Sequence, residues 1–570
     1  MAGQFQVTGK NPSALFTLKV HRGEGMALLA MDWKDAQPPL NFVGFAIEYR
    51  EPNGSQFYPL KNRLTFDGNA GTTSSAKRPP TYSTRIAPIQ KFRWVHFPRN
   101  AQLTGPFEYQ VTPVFMGSDD ALSYGAAQNA EIELGDETYP GVLNVAFTRG
   151  FISSQAFVDN FVDVDALLPA HSKDGLDFKP TDPDAEKAYA WMGFEARRVL
   201  MKALDDAIAD ADADVGIVAY DFDLPEIIDR LKKLKGRVRV IIDNSDGHTG
   251  DKHAEDRAAQ LLTDAGIPVV RQSMGSLQHN KTLYVNAPKV KRVICGSTNM
   301  SWRGLYVQSN NAVAIEGQGA VDIVKAAFET YWSHAADFKK SPSSNWVPFN
   351  LPGIDASISF SPHSAATSRL KGIADDVRTA QSSVLYSLAF LWQTPGQIRD
   401  ALQDRTNNND VFVAGISEKA TAIMIASGTT NEKPVRVEPL DDDAPEPFRS
   451  EPTGLVDNNA GTRMHHKFIV LDFDKAAARV YLGSYNMSVA ADKDNGENLI
   501  LIRDRRIATS YMVEAMRIVD HYEFRAALKD SRDRQKVLRL QRPPKDGEEP
   551  WWRKDWTQPH RIADRLLFSR

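Results

Sequence analysis

Two stretches decide how this chain folds: Gln278-His279-Asn280-Lys281-Thr282-Leu283-Tyr284-Val285-Asn286 and Met464-His465-His466-Lys467-Phe468-Ile469-Val470-Leu471-Asp472. Each opens on a polar His-x-Lys and runs into an apolar segment with the composition of a strand. Each is then followed by a strand-like run and a small polar turn. The turns are Gly296-Ser297-Thr298-Asn299-Met300-Ser301 and Gly483-Ser484-Tyr485-Asn486-Met487-Ser488. A lone His-x-Lys carries almost no information. Two of them, each trailed by Gly-Ser-x-Asn-Met-Ser, mark an internal duplication.

The surrounding texture agrees. Ala188–Ala211 has helical apolar spacing, Val215–Tyr220 reads as a strand, Leu224–Lys235 as a helix and Val238–Asp243 as a strand. His253–Ala265 is again helical and is followed by Val269-Val270. The order returns with Leu370–Gln381, Val384–Phe390, Gln397–Gln403 and Val411–Ile416. The offset of roughly 170 to 190 residues is too long for a solenoid repeat, so a duplicated α/β domain with a largely parallel sheet is expected. The Ser- and Pro-rich stretch from Lys339 to Gly353 falls between the copies as a linker.

Upstream, Leu15–Val20, Met26–Trp33, Phe42–Tyr49, Phe92–Phe97, Phe107–Phe115 and Ala130–Leu134 are short strand candidates separated by turn residues and by a polar stretch from Asp67 to Lys77. No helical stripe interrupts them, and an antiparallel β-sandwich is the simplest packing. With Trp33 as core tryptophan and Tyr109 as a tyrosine corner, the module resembles a fibronectin type III domain. The expected division is a sandwich over 1–140, a first α/β domain over 141–345, and a second over 346–570 with a C-terminal extension.

Composition narrows the rest. At 570 residues, 42% hydrophobic and 25% charged, the chain is globular and multidomain. Sixty-eight Lys and Arg against 72 Asp and Glu leave −4, too little to pull the whole molecule onto nucleic acid or an anionic bilayer. One cysteine, Cys295, excludes an internal disulfide framework and a Cys-rich zinc site. No run approaches the ~18 apolar residues of a membrane span. The N-terminus lacks a secretory pattern, so a cytoplasmic location is expected, with export by a signal-independent route left open.

On a strand, His279 and Lys281 share a face, as do His465 and Lys467. Asn299 and Asn486 add amides, Ser297 and Ser484 hydroxyls. Gathered about a pseudo-twofold axis, two imidazoles, two ammoniums and two amides make a cage for an oxyanion, and a phosphodiester fits it. One neutral imidazole can attack phosphorus while one imidazolium protonates the leaving alkoxide. A carboxylate favours the charged imidazole, so Glu497 is expected beside His465 as the acid. Gln308 is expected beside His279, leaving that ring neutral as the nucleophile, with Ser309, Asn310 and Asn311 as competitors for that place.

The doubled His-x-Lys pattern followed by Gly-Ser-x-Asn resembles the phospholipase D superfamily over roughly residues 185–530. The resemblance implies two α/β domains meeting at a shared site, a covalent phosphohistidine, a second histidine as acid and then base, and no metal or cofactor. It carries over onto His279, Lys281 and Asn299, and onto His465, Lys467, Asp472 and Asn486. Asn286 stands where the family usually has aspartate. Strand parity puts it on the face away from the lysine, where it braces the motif. The Gln/Glu pair of orienting residues resembles the tyrosyl-DNA phosphodiesterase branch.

A hydrolase or transphosphatidylase acting on phospholipid headgroups is the first reading. A nuclease is the second, and a non-catalytic phosphate binder the third. With both motif copies in one chain a monomer is expected, in peripheral contact with membrane at most. The pocket rim is expected at Trp302–Val307, Asp441–Val456 and Ala490–Gly496. Asp243-Asn-Ser-Asp-Gly247 reads as a turn after a strand, since no glutamate closes it as a calcium loop. Asp441-Asp-Asp443 reads as a solvated acidic loop. His466 faces away from His465 and reads as a packing residue, and Cys295 as an inert buried thiol. Residues 521–570 hold 13 Lys and Arg against 8 Asp and Glu, with Trp551, Trp552 and Trp556 among them. This tail suits either a phosphate-rich surface or packing of its tryptophans against the second domain.

Overall fold

The computed structural model describes residues 4–66, 81–135, 137–150, 166–169, 172–250, 253–391, 394–408, 411–419, 422–426, 435–437, 464–533, 535 and 537–570. The polar stretch 67–77, Asp441-Asp-Asp443 and the rim segment Asp441–Val456 lie outside the described residues.

The N-terminal strands form two antiparallel sheets. One joins Gln6–Thr8, Phe16–Arg22, Ala27–Trp33 and Arg93–His96. The other joins Leu122–Tyr124, Pro106–Met116, Phe42–Arg50 and Tyr58–Pro59, with Gln128–Glu133 also paired to Pro106–Met116. Alternation sets the inner face: along Gln128–Glu133 buried and exposed residues follow one another. Phe16, Phe42, Phe45, Phe107, Tyr109 and Trp33 meet in the core between them. Tyr109 is buried as expected, but its hydroxyl meets the His96 ring at 3.1 Å instead of a main-chain carbonyl.

The next sheet runs Leu143–Phe147, Asn311–Glu316, Lys291–Gly296, Thr282–Asn286, Asp214–Ala219, Val238–Asp243, Val269–Gln272. A further sheet repeats this order around Glu497–Arg503, Arg479–Gly483, Lys467–Leu471, Ser383–Ala389 and Phe412–Lys419. Neither is largely parallel. Only the strands alternating with helices pair in parallel, as in Asp214–Ala219 with Val238–Asp243 and Ser383–Ala389 with Phe412–Lys419. The motif strands are antiparallel because only Ala287–Val290 separates Thr282–Asn286 from Lys291–Gly296, and so short a link can close only a hairpin.

The helix Arg505–Asp533 runs between the sandwich and the second sheet, and residues 506–519 are buried all round. The C-terminal tail corrects an expectation. Its tryptophans pack on the N-terminal sandwich, not on the second domain: Trp552 is in the sandwich core and Trp551 stacks on Phe92 at 5.3 Å. Arg565 pairs with Asp32, and Arg93 with Asp564 and Asp520, so the tail closes back on the start of the chain. Among the described residues no helix is long and apolar enough to cross a membrane.

Candidate active site

His279 and Lys281 lie in the extended run just ahead of Thr282–Asn286, and His465 just ahead of Lys467–Leu471. Each ammonium folds back onto its own motif: Lys281 Nζ donates to the His279 carbonyl at 2.5 Å and Lys467 Nζ to that of His465 at 2.8 Å. The two imidazoles face each other with ring centroids 6.2 Å apart. Two imidazoles and two ammoniums therefore surround one small volume.

The orienting partners cross between halves, and here the structure overturns the expected pairing. Glu497 does not stand beside His465. Its Oε2 accepts from His279 Nδ1 at 2.8 Å. Gln308 does not orient His279; its side-chain oxygen lies 3.5 Å from Asn310 Nδ2. Asn310 is the partner of His465, whose Nδ1 meets Asn310 Oδ1 at 2.9 Å. The amide is fixed that way round because Asn310 Nδ2 donates to the Gly304 carbonyl at 2.9 Å. Both rings thus donate through Nδ1 and keep Nε2 for the space between them.

The turn residues build these partners. Ser484 Oγ donates to Glu497 at 2.6 Å and Ser297 Oγ to Asn310 at 2.9 Å, each across 13 positions. That equal spacing was the signal for Asn310, and it excludes Gln308. The residue after each motif histidine crosses over as well. Asn498 Nδ2 donates to Asn280 Oδ1 at 2.8 Å, and Asn311 Nδ2 approaches His466 Nδ1 at 3.4 Å. His466 is fully buried, with Glu514 on its other nitrogen at 3.0 Å. Gly296 and Gly483 take φ of 150° and 138°, and a Cβ there would strike the Asn311 and Asn498 carbonyl oxygens of the neighbouring strand.

Asn299 is 1% exposed; its Nδ2 donates to Asp221 at 2.5 Å while its Oδ1 has no partner among the described residues. Asn486 Oδ1 is likewise buried and unmatched. Asn286 and Asp472 sit at the far ends of their strands. Asp472 Oδ1 accepts the main-chain N–H groups of Gln381 and Ser382, both at 2.8 Å, and Asn286 accepts from Lys291 at 2.7 Å. Cys295 is buried, which pushes its thiol up.

Burial dominates the electrostatics. It pushes His279 and His465 well below the usual imidazole range, with the neighbouring lysines adding to the effect. It lowers Lys281 to about 8 against the pull of Glu497, and it lowers Lys467 too, with Lys281 beside it adding to the effect. It raises Glu497 to about 8 against Lys281. Burial and mutual repulsion thus disfavour the cations gathered here, and an oxyanion among them would favour their charged forms.

Sequence reading missed a group beside the first motif. Tyr220 lies edge-on to His279 at 4.6 Å, with Lys281 Nζ over its ring at 4.6 Å. Asp221, His248 and Glu255 bring donor atoms within 4.8 Å of one another, a set that can hold a divalent ion. As arranged, both His248 nitrogens are engaged by carboxylates, Asp243 at 2.8 Å and Asp221 at 3.0 Å, and the ring has no lone pair to offer. The sequence signal for Asp243 is the Asp243–Gly247 turn, which is more than a connection because its first carboxylate holds His248 and the Gln278 N–H.

This fold and site define a class: two α/β units that bring paired imidazoles and ammoniums to one anion-sized centre. A family model described as "Cardiolipin synthase, PLD-like domain" matches residues 204–332 and 373–519. Over 48 residues the chain is 50% identical to a phospholipase D of Rickettsia prowazekii, covering 8% of this chain and 22% of that one. Over 77 residues it is 34% identical to a mitochondrial cardiolipin hydrolase of Xenopus tropicalis, covering 14% and 35%. A phosphatidylserine synthase structure from Haemophilus influenzae is 13% identical with a TM-score of 0.40, covering 66% of this chain and 93% of that one. The chain spans about a fifth of the length of the curated phospholipases it matches. Both motif copies fall within the two matched segments, and over them the chain carries the PLD-like domain of that family model.

Proposed function

We propose that the protein is a phosphodiesterase of the phospholipase D type, cleaving or exchanging the headgroup of a phospholipid through a phosphohistidine. The observation that carries the reading is the opposed pair His279 and His465, 6.2 Å apart with an ammonium on each side. His279 Nε2 attacks phosphorus, and the P–O bond to the headgroup breaks as His465 Nε2–H protonates the departing alkoxide. Water, losing its proton to His465, then displaces His279 from phosphorus. An alcohol in its place gives transfer. Glu497 belongs behind the nucleophile, because it compensates the positive charge that grows on His279 as the N–P bond forms. The neutral Asn310 leaves a protonated His465 the stronger acid of the two. Lys281 and Lys467 neutralise the phosphoryl oxygens, so the step needs no Lewis acid.

The same reading takes 1–140 as a fibronectin type III-like module, 141–345 and 346–570 as pseudo-twofold copies of one domain, and a single cytoplasmic chain as the working unit. The reciprocal 13-residue spacing of Ser297–Asn310 and Ser484–Glu497 supports the duplication.

The test is a parallel assay on choline, ethanolamine and glycerol phospholipids and on single- and double-stranded DNA. Headgroup release without DNA cleavage is expected, unchanged in EDTA; DNA cleavage alone makes the enzyme a nuclease. His279→Ala should abolish activity on every substrate. His465→Ala should lose about 10²–10⁴-fold on lipids and much less on bis(p-nitrophenyl) phosphate, whose leaving group needs no proton. Survival of activity in both variants ends the catalytic reading.

A further inference from the structure

An unbroken set of hydrogen bonds flanks the first motif. The N–H of Gln278, the residue before His279, donates to Asp243 Oδ1 at 2.5 Å. Asp243 Oδ2 accepts from His248 Nδ1 at 2.8 Å, His248 Nε2 donates to Asp221 Oδ1 at 3.0 Å, and Asp221 Oδ2 takes the Asn299 amide at 2.5 Å. His248 is 6% exposed and Asp243 is fully buried. Counted along the paired strands, Asp221 corresponds to Phe390, so the second half has no carboxylate at this place.

We propose that His248 is a positioning residue of the phosphodiesterase site: bridged by Asp221 and Asp243, it holds the Asn299 amide and the main chain at Gln278 that leads into His279 in one rigid frame. This rests on the catalytic reading above. Two ionised carboxylates can only accept, so both ring nitrogens must donate and the ring is cationic. Burial opposes that charge, but the bonds to Asp221 and Asp243 prevail and hold His248 at about 10. Glu255 approaches Nε2 at 3.9 Å from its helix, and the Tyr220 and His253 rings pack on the imidazole at 4.2 and 6.4 Å. Arg271 donates to the His248 carbonyl at 2.8 Å. A cation fixed among these groups holds its geometry across the working pH range. It presents Asn299 with its remaining N–H free for a phosphoryl oxygen, and such placement acts on kcat more than on KM.

Two substitutions separate the arms of the frame. An asparagine amide nitrogen falls near Nδ1 and reaches only Asp243. A glutamine amide nitrogen falls near Nε2 and reaches only Asp221. On bis(p-nitrophenyl) phosphate, His248→Asn should lose about 10²-fold in kcat with KM nearly unchanged. His248→Gln should recover to within about tenfold of the parent, although both lower Tm by similar amounts. In ¹⁵N imidazole spectra of the full chain at pH 8.5, one doubly protonated ring should be present in the parent and absent from both variants. Equal losses that track Tm, unaltered kcat, or a neutral His248 overturn the proposal and leave the catalytic reading standing. If the parent cleaves no diester, the catalytic reading fails. Orthovanadate affinity then decides for the frame: tighter binding to His248→Gln than to His248→Asn supports it, and equal binding ends it.

Discussion

Glu497 carries the most consequential proton in the molecule. Burial raises its carboxyl to about 8 against Lys281, and it shares a short hydrogen bond with a ring that burial and the lysines push the other way. The pair titrates as a unit, and its second proton is lost near pH 8. On the proposed mechanism, the proton blocks Nε2 of His279 below that pH and leaves it free to attack above it. Lys281, lowered to about 8, then loses the charge that the same mechanism sets against the phosphoryl oxygens. The kcat/KM profile should therefore be a narrow bell centred near pH 8, and a plateau from pH 5 to 7 would contradict the pairing. Stability follows with a fixed sign. A carboxyl raised from 4.5 to about 8 gives stability that is complete below the unfolded value and lost as pH rises through the folded one. Glu497→Gln should thus be inactive, raise Tm by about 2 °C or more at pH 9 and change it little at pH 5. Most of these residues were legible in the sequence, because the motif repeats. Their partners were not, since each histidine takes its partner from the opposite half. Equal counts from Ser297 and Ser484 pointed to Asn310, but nothing in the sequence shows that Asn310 and Glu497 reach across to the opposite histidines.

At the level of elements, legibility followed periodicity. Val238–Asp243 came out as read, and Ala185–Ala209, Pro225–Leu234 and Leu370–Arg378 within a few residues, because each buries a pattern with its own period. Arg505–Asp533 was invisible for the opposite reason. Residues 506–519 are buried all round, so no polar face alternates with an apolar one. The strand signal of the sandwich was clear, but the partner of its core was not, since it arrives from the other end of the chain. Trp552 is 2% exposed among Phe16, Phe42 and Phe92, and the Trp551 Nε1–H donates to the Phe42 carbonyl at 3.0 Å. Removing such a ring leaves a cavity, at about 3–5 kcal/mol. Trp552→Ala should make the N-terminal module the first site of limited proteolysis, while diester cleavage by the intact fraction is retained. Protection of that module equal to the parent's would show that the tail only rests on it.

Across the whole molecule, neither half can hold its own histidine. His279 is oriented from a residue 218 positions later, His465 from one 155 positions earlier, and main-chain bonds accompany both: Gly496 N–H to the Leu277 carbonyl at 2.8 Å and His465 N–H to that of Ser309 at 3.1 Å. One continuous apolar core holds Val145 and Val313 from the first sheet together with Val470 and Ile500 from the second. Interlocked polar groups over a shared core leave little stability to a half that opens alone, because each opening strands buried donors and acceptors on both sides. The two sheets should therefore exchange their amide hydrogens as one cooperative unit. Asn498→Ala tests this, since it removes the donor to Asn280 Oδ1 and the Gly296 carbonyl and leaves both buried without it. Hydrogen exchange should accelerate at Thr282–Asn286, in the half that was not altered, by about the same factor as at Glu497–Arg503. A cost of about 1–3 kcal/mol corresponds to roughly 5- to 150-fold faster exchange at both. Acceleration confined to Glu497–Arg503 would mean that the halves open separately, and the crosswise pairing would then be a contact between two independent domains.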